Sequence, residues 1–207
     1  MPIKLLELET QRRDAILNAA LKEFAIKGYN EASTNVIAKE AGISKGLMFH
    51  YVKSKKDLFF VVYDYFTEMM NREYFELMNY DEKDIFERLR QSYLLQLELI
   101  KKYPCIFEVN KLSADSNPDE IKKELAKKYK NKQISCFERM FDLIDESKFK
   151  DSLDIGKCKH FILWSNIGFT NQILEEARNF QYDKLDYDSI VEKLDENLQE
   201  LRKIFYK

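Results

Sequence analysis

Glycine and proline are scarce in this chain, with five and three residues among 207. Both disfavour helix interiors, so their scarcity points to long helices rather than a turn-rich β fold. Histidine occurs twice and cysteine three times. Cys105, Cys136 and Cys158 are odd in number, far apart and outside any CxxC spacing, which argues against a disulfide framework or a structural zinc site. They read as free thiols of a reducing cytosol. Neither HExxH nor the ExxH pair of di-iron bundles occurs, and His50 and His160 suggest no Ser/His/Asp set. No apolar run approaches the ~18 residues of a membrane span, and residues 1–10 lack the apolar core of a secretory signal. The expectation is a cytoplasmic protein with no cofactor, no metal and no membrane partner.

What is present is a soluble, globular composition: 45% hydrophobic and 34% charged residues. The length suffices for a sizeable core. The formal charge is -2, so bulk charge implies no polyanion partner. Its distribution says more. Residues 1–60 hold ten Lys or Arg against seven Asp or Glu, and the remainder holds 24 against 29.

Ile16, Leu17, Ala20, Leu21, Phe24 and Ala25 recur at helical spacing. They predict a first helix over 10–27, with Thr10 as N-cap and Gly28 as C-terminal cap. Ser33 or Thr34 caps a short second helix with Val36, Ile37 and Ala41 inward. Gly42 breaks it. Ser44 caps a third helix carrying Leu47, Met48 and Tyr51. Ser54 and Asp57 have capping-box spacing and open a fourth, expected to reach about Tyr80. Further helices are expected over 84–103, 118–146, 155–178 and 187–206, with a short one ending near Ala114. The fold class is therefore all-α, with about nine helices. Residues 1–53 form a three-helix unit and 54–207 a larger helical body.

Two short helices joined by a glycine turn make a helix-turn-helix, whose second helix enters the major groove as a rigid body. Lys53, Lys55 and Lys56 follow that second helix. They sit where a helix start also offers free N–H groups to phosphate. The local positive charge thus reads as a backbone clamp beside a reading head.

The stretch "TNVIAKEAGISKGLMFHYVKSKKDL" strongly resembles the DNA-binding segment of TetR-type transcriptional repressors. The preceding "ILNAALKEFAIKGYNEAS" is similar to that family's first helix and connection. The resemblance covers about residues 10–60; beyond, only length and helical character agree. It implies that Thr34 and Asn35 begin a helix touching phosphate and base. Ser44, Lys45, Gly46 and Leu47 then form the groove-facing start of the reading helix. Lys45 would donate to guanine and Leu47 meet a thymine methyl. Tyr51 and Lys55 match phosphate-holding positions. His50 contacts the backbone or is a plain surface imidazole. Phe49 stands where the family has Tyr, so the usual hydroxyl contact is missing.

Tyr187, Val191, Leu194, Leu198, Leu201 and Phe205 form a heptad-type seam. It packs inside the monomer or against a second copy. The resemblance implies the latter, a homodimer through the last two helices, with Ser165, Gly168 and Phe169 contributing alongside Val191, Leu194, Leu198, Leu201 and Phe205. It also implies a small-molecule effector, apolar or aromatic, between helices of the body. Phe66, Met70, Phe107, Phe137 and Trp164 are the candidate lining, although aromatic and Met side chains are equally core material. The reading is a ligand-responsive repressor on a palindromic duplex operator. An all-helical enzyme or a protein-interaction module using the body pocket is the alternative.

Overall fold

The computed structural model describes residues 4–103, 105–113, 117–129, 136–179 and 185–207; at 113, 129, 136–138 and 177–179 only the backbone is described. Among the described residues the secondary structure is nine α-helices, short 3-10 turns and one π-helical turn. No strand occurs among them; Phe149 and Tyr206 make an isolated antiparallel bridge. No described helix is long and apolar enough to cross a membrane.

The chain divides into two compact units, Met1–Arg72 with Cys105–Gln133, and Glu73–Pro104 with Ile134–Lys207. The first holds α1 (Thr10–Glu31), α2 (Thr34–Glu40), α3 (Lys45–Tyr51), α4 (Lys55–Met70), a 3-10 segment (Ile106–Ser113) and α6 (Asp119–Tyr129). Here α1 packs on α2, α4 and the 3-10 segment, burying Ile16, Leu17, Ala20, Leu21 and Phe24. Glu9 rather than Thr10 occupies the N-cap position of α1, and it makes no side-chain cap bond. Gly28 interrupts this helix at φ 70 and ψ 172, a conformation that costs an L side chain dearly.

Helix α4 ends at Met70 instead of reaching Tyr80, and a π-helical turn, Asn71–Phe75, follows. The next residues favour side-chain-to-backbone bonds over helix. Asn79 Oδ1 accepts from Asp81 N at 3.1 Å, and Asp84 Oδ1 from Phe86 N at 3.0 Å, which caps α5 (Ile85–Lys102). The expected helix over 118–146 is likewise not continuous: α6 ends at Tyr129, and α7 (Cys136–Phe141) gives way to Leu143 at φ 55.

The second unit packs α5, α7, α8 (Ile155–Asn179) and α9 (Tyr187–Phe205) around Ile85, Phe86, Leu89, Ile162, Leu194 and Leu198. Arg88, fully buried, ties α5 to main-chain carbonyls. Its Nη1 donates to Met140 O and Asp142 O, both at 2.8 Å, and Nη2 to Tyr80 O at 2.8 Å. The two Nη1 bonds satisfy carbonyls at the end of α7. Across α5 and α9, Asp195 accepts from Arg90 Nε and Nη2 at 2.6 and 3.0 Å.

Candidate nucleic-acid interface

The turn between α2 and α3 is built from backbone bonds that glycine permits. Gly42 N donates to Lys39 O at 3.1 Å and Ile43 N to Ala38 O at 2.9 Å, a Schellman closure with Gly42 at φ 68. Ser44 Oγ then accepts from Leu47 N at 3.1 Å and starts α3. Ile37 and Ala38 of α2 and Met48 of α3 are buried, as is Val52 just beyond. Val36, expected inward, is 45% exposed, because the inner face of so short a helix is already filled by its two successors.

With Met48 anchored, the start of α3 faces solvent. Ser44, Lys45, Gly46, Leu47 and His50 are exposed, while Phe49 and Tyr51 are half-buried. Thr34 is half-buried and Asn35 exposed at the start of α2. The Lys45 ammonium lies 6.0 Å from the centre of the Phe49 ring. The ring that lacks a hydroxyl thus gives the lysine an aromatic platform. His50 and Tyr51 meet edge to face at 5.7 Å.

The lysines after α3 are not equivalent. Lys53 is exposed. Lys55 turns back onto the α1–α2 connection: its Nζ donates to Asn30 O at 2.9 Å and lies 5.1 Å from the centre of the Tyr29 ring. Burial pushes its ammonium down, against the pull of Glu31 and Glu23. Lys56 is held by Glu120 and Glu124 of α6, both at 2.6 Å. Ser54 caps α4 by accepting from Asp57 N at 3.0 Å while its hydroxyl donates to Asp57 Oδ2 at 2.8 Å.

Two positioning contacts escaped the sequence reading. Buried Glu23 accepts from Ser33 N at 2.8 Å and so fixes the start of α2. Lys22 donates to Glu40 at 2.7 Å near that helix's end. A lone glutamate on the inner side of α1 was the only available signal.

The segment so arranged matches the family model of bacterial regulatory proteins, tetR family, over residues 16–62. Over that segment the chain is similar to the TetR family. The chain is 41% identical over 66 residues to the HTH-type transcriptional regulator YuxN of Bacillus subtilis (strain 168), covering 30% of this chain and 23% of that protein. It is 31% identical over 91 residues to the Fatty acid metabolism regulator protein of the same organism, covering 44% and 43%. The chain thus spans less than half the length of either relative. A TetR family transcriptional regulator from Chloroflexus aurantiacus J-10-FL shares the fold, with a TM-score of 0.64, 18% identity and coverage of 99% and 97%.

The residues expected to line an effector pocket are scattered. Phe66 and Met70 are buried and Phe107 half-buried in the first unit. Trp164 is 60% exposed on α8. The Phe137 side chain lies outside the described residues. In the second unit a narrow apolar cleft opens between α5 and α8, lined by Tyr93, Gln96, Leu97, Ile100, Thr170, Ile173 and Leu174. Thr170 Oγ1 donates to Tyr93 OH at 3.3 Å, and Tyr93 OH donates to Asn166 O at 2.7 Å. Burial pushes the Tyr93 hydroxyl up to about 12.

The residues of the expected dimer seam differ in exposure. Leu194, Leu198 and Phe205 are buried in the second unit's own core. Val191, Leu201 and Phe169 pack at its margin, and Phe169 meets Tyr93 edge to face at 5.4 Å. Ser165 is half-buried and Gly168 exposed. The open apolar stripe is on α8, where Phe161, Trp164 and Ile167 are 53%, 60% and 46% exposed, with Gly168 between them and Asn171.

Proposed function

We propose that this protein is a transcriptional regulator of the TetR type, a repressor that binds an inverted-repeat operator as a homodimer and leaves it when an apolar effector binds. The observation that carries this reading is the start of α3. Lys45, Gly46 and Leu47 stand exposed on a helix fixed from beneath by Met48, the presentation that major-groove reading requires. In this reading residues 1–53 bind DNA and residues 54–207 sense and dimerise. Thr34 and Asn35 flank the reading face with contacts to phosphate and base, and Tyr51 and His50 with backbone contacts.

The exposed stripe Phe161–Trp164–Gly168 on α8 supports association of two copies, since apolar rings grouped on one helix face favour burial. A two-fold pair reads two half-sites, which one helix-turn-helix cannot do. The cleft between α5 and α8 supports an apolar effector, and its occupant must widen it. Such a ligand acts by preferring the conformation in which the two reading heads no longer match the half-site spacing. Because one relative is a fatty acid metabolism regulator, acyl chains are the first effectors to test.

The test is selection of bound sequences from a random duplex pool with the purified protein, followed by challenge with fatty acids and their thioesters. The expected result is an inverted repeat released by an acyl compound. Enrichment of no sequence would contradict the reading.

A further inference from the structure

Lys56 occupies the first turn of α4, directly after the reading helix and beside exposed Lys53, yet its charge is already used. Glu120 and Glu124, one turn apart on α6, each place a carboxylate oxygen 2.6 Å from its ammonium. The contact belongs to a longer seam along these two helices. Lys128, one turn beyond Glu124, pairs with Asp64, two turns beyond Lys56, and lies 5.7 Å from the Phe60 ring centre. Ile121 and Leu125 of α6 are buried beneath the charges.

All three members of the Lys56 cluster remain solvent-accessible: the side chains of Lys56, Glu120 and Glu124 are 34%, 75% and 43% exposed. Exposed ion pairs are weak and readily exchanged. Two carboxylates around one ammonium present the same oxygen chemistry as a phosphodiester, and together they leave the cluster net negative. In this arrangement Lys56 adds nothing to the attraction of DNA. Freed, it stands at a helix start, where backbone N–H groups and the helix dipole already favour phosphate. The pair of acids raises the ammonium's proton affinity, consistent with their tight hold.

We propose that Lys56 is a further phosphate-binding cation of this interface, one that α6 gates: Glu120 and Glu124 act as an internal competitor for DNA phosphate. The inference rests on the DNA-binding reading above. Movement of α6 away from the α4 start delivers one more cation to the duplex, and its return withdraws that cation. Glu120 and Glu124 are therefore positioning residues for Lys56.

The experiment measures binding of a mixed-sequence duplex against salt concentration for four proteins: wild type, Glu120→Gln with Glu124→Gln, Lys56→Gln, and all three changes together. Each phosphate neutralised steepens the slope of log affinity against log salt by about 0.9. The double carboxamide variant is expected to bind more tightly and with a slope steeper by about that amount per protomer. In the Lys56→Gln background the same two changes leave the slope unchanged. The single change Glu124→Gln, which keeps Glu120 in place, gives an intermediate slope and serves if the double variant folds poorly. An equal gain in both backgrounds means that only bulk negative charge was removed and overturns the gating. So does an unchanged slope in the double variant when wild type binds. If wild type ignores duplex even at low salt, the DNA-binding reading itself falls, a result separate from the other two.

Discussion

Lys55 donates its ammonium hydrogen to the main-chain carbonyl of Asn30 at 2.9 Å, across 25 positions of sequence. The bond closes the break at Gly28 against the start of α4, with the ammonium over the ring of Tyr29, which meets Phe59 edge to face at 5.4 Å. A lysine that the family resemblance assigns to phosphate therefore also holds the connection that aims α2. Lys55→Gln is expected to lose about 1 kcal/mol of stability, the scale of one hydrogen bond, and roughly 2–4 °C in melting temperature. Duplex affinity should fall about equally on every sequence. Thermal denaturation and binding to two unrelated duplexes check both halves.

Gly42 holds the α2–α3 angle at φ 68, with nothing within 4 Å of where a Cβ would stand. The cost of Gly42→Ala is then backbone strain alone, about 1–2 kcal/mol. Urea titration should show an earlier midpoint with an unchanged slope. A neutral effect would mean that the turn relaxes to another conformation.

These two glycines, Ser44 and Ser54 were legible in the sequence because their work is local. A positive φ and an N-cap are decided by the residue and its three or four neighbours. The seam on α9 shows where that legibility stops. Period predicts that Leu194 and Leu198 share a stripe, but not what the stripe faces, and α5 fills it within the same chain. Trp164 misled for a related reason: composition places a tryptophan in a core or pocket, whereas the helix turns it outward beside Phe161. The holds on Lys55 and Lys56 depend on residues 25 and 64 positions away and carry no local signal.

The contrast between α8 and α9 gives a paired prediction. Trp164→Glu puts a charge on an exposed ring position and should leave the fold intact while shifting sedimentation from dimer to monomer. Leu194→Ala empties a buried site, costs about 2–5 kcal/mol, and should lower stability at every protein concentration. Monomer formation by the second variant with unchanged stability would reverse the assignment.

Asp84 links the two ends of the second unit's helices. Its carboxylate accepts from Arg202 Nη1 at 2.6 Å and Lys148 Nζ at 2.9 Å, while capping α5. Burial pushes its pKa up, but the bonds from Arg202 and Lys148 outweigh that and hold it below the usual range. Its contribution is complete above the unfolded carboxylate value of about 3.9 and is lost as pH falls through the lower folded value. Asp84→Asn should be less stable near neutrality, by about 1–3 kcal/mol. Its stability should also decline less than wild type between about pH 4 and acid unfolding. Denaturant melts across that window read the difference.

The central claim is that Lys45, exposed at the start of α3 and carried on the Phe49 ring, reads a base. It is tested most directly by repeating the duplex selection with Lys45→Ala and comparing the enriched sequences with those of wild type. The predicted result is an inverted repeat in both, with preference relaxed at one position in each half-site, a discrimination worth about 1–3 kcal/mol there. The same bases enriched at every position, with binding uniformly weaker, would contradict it.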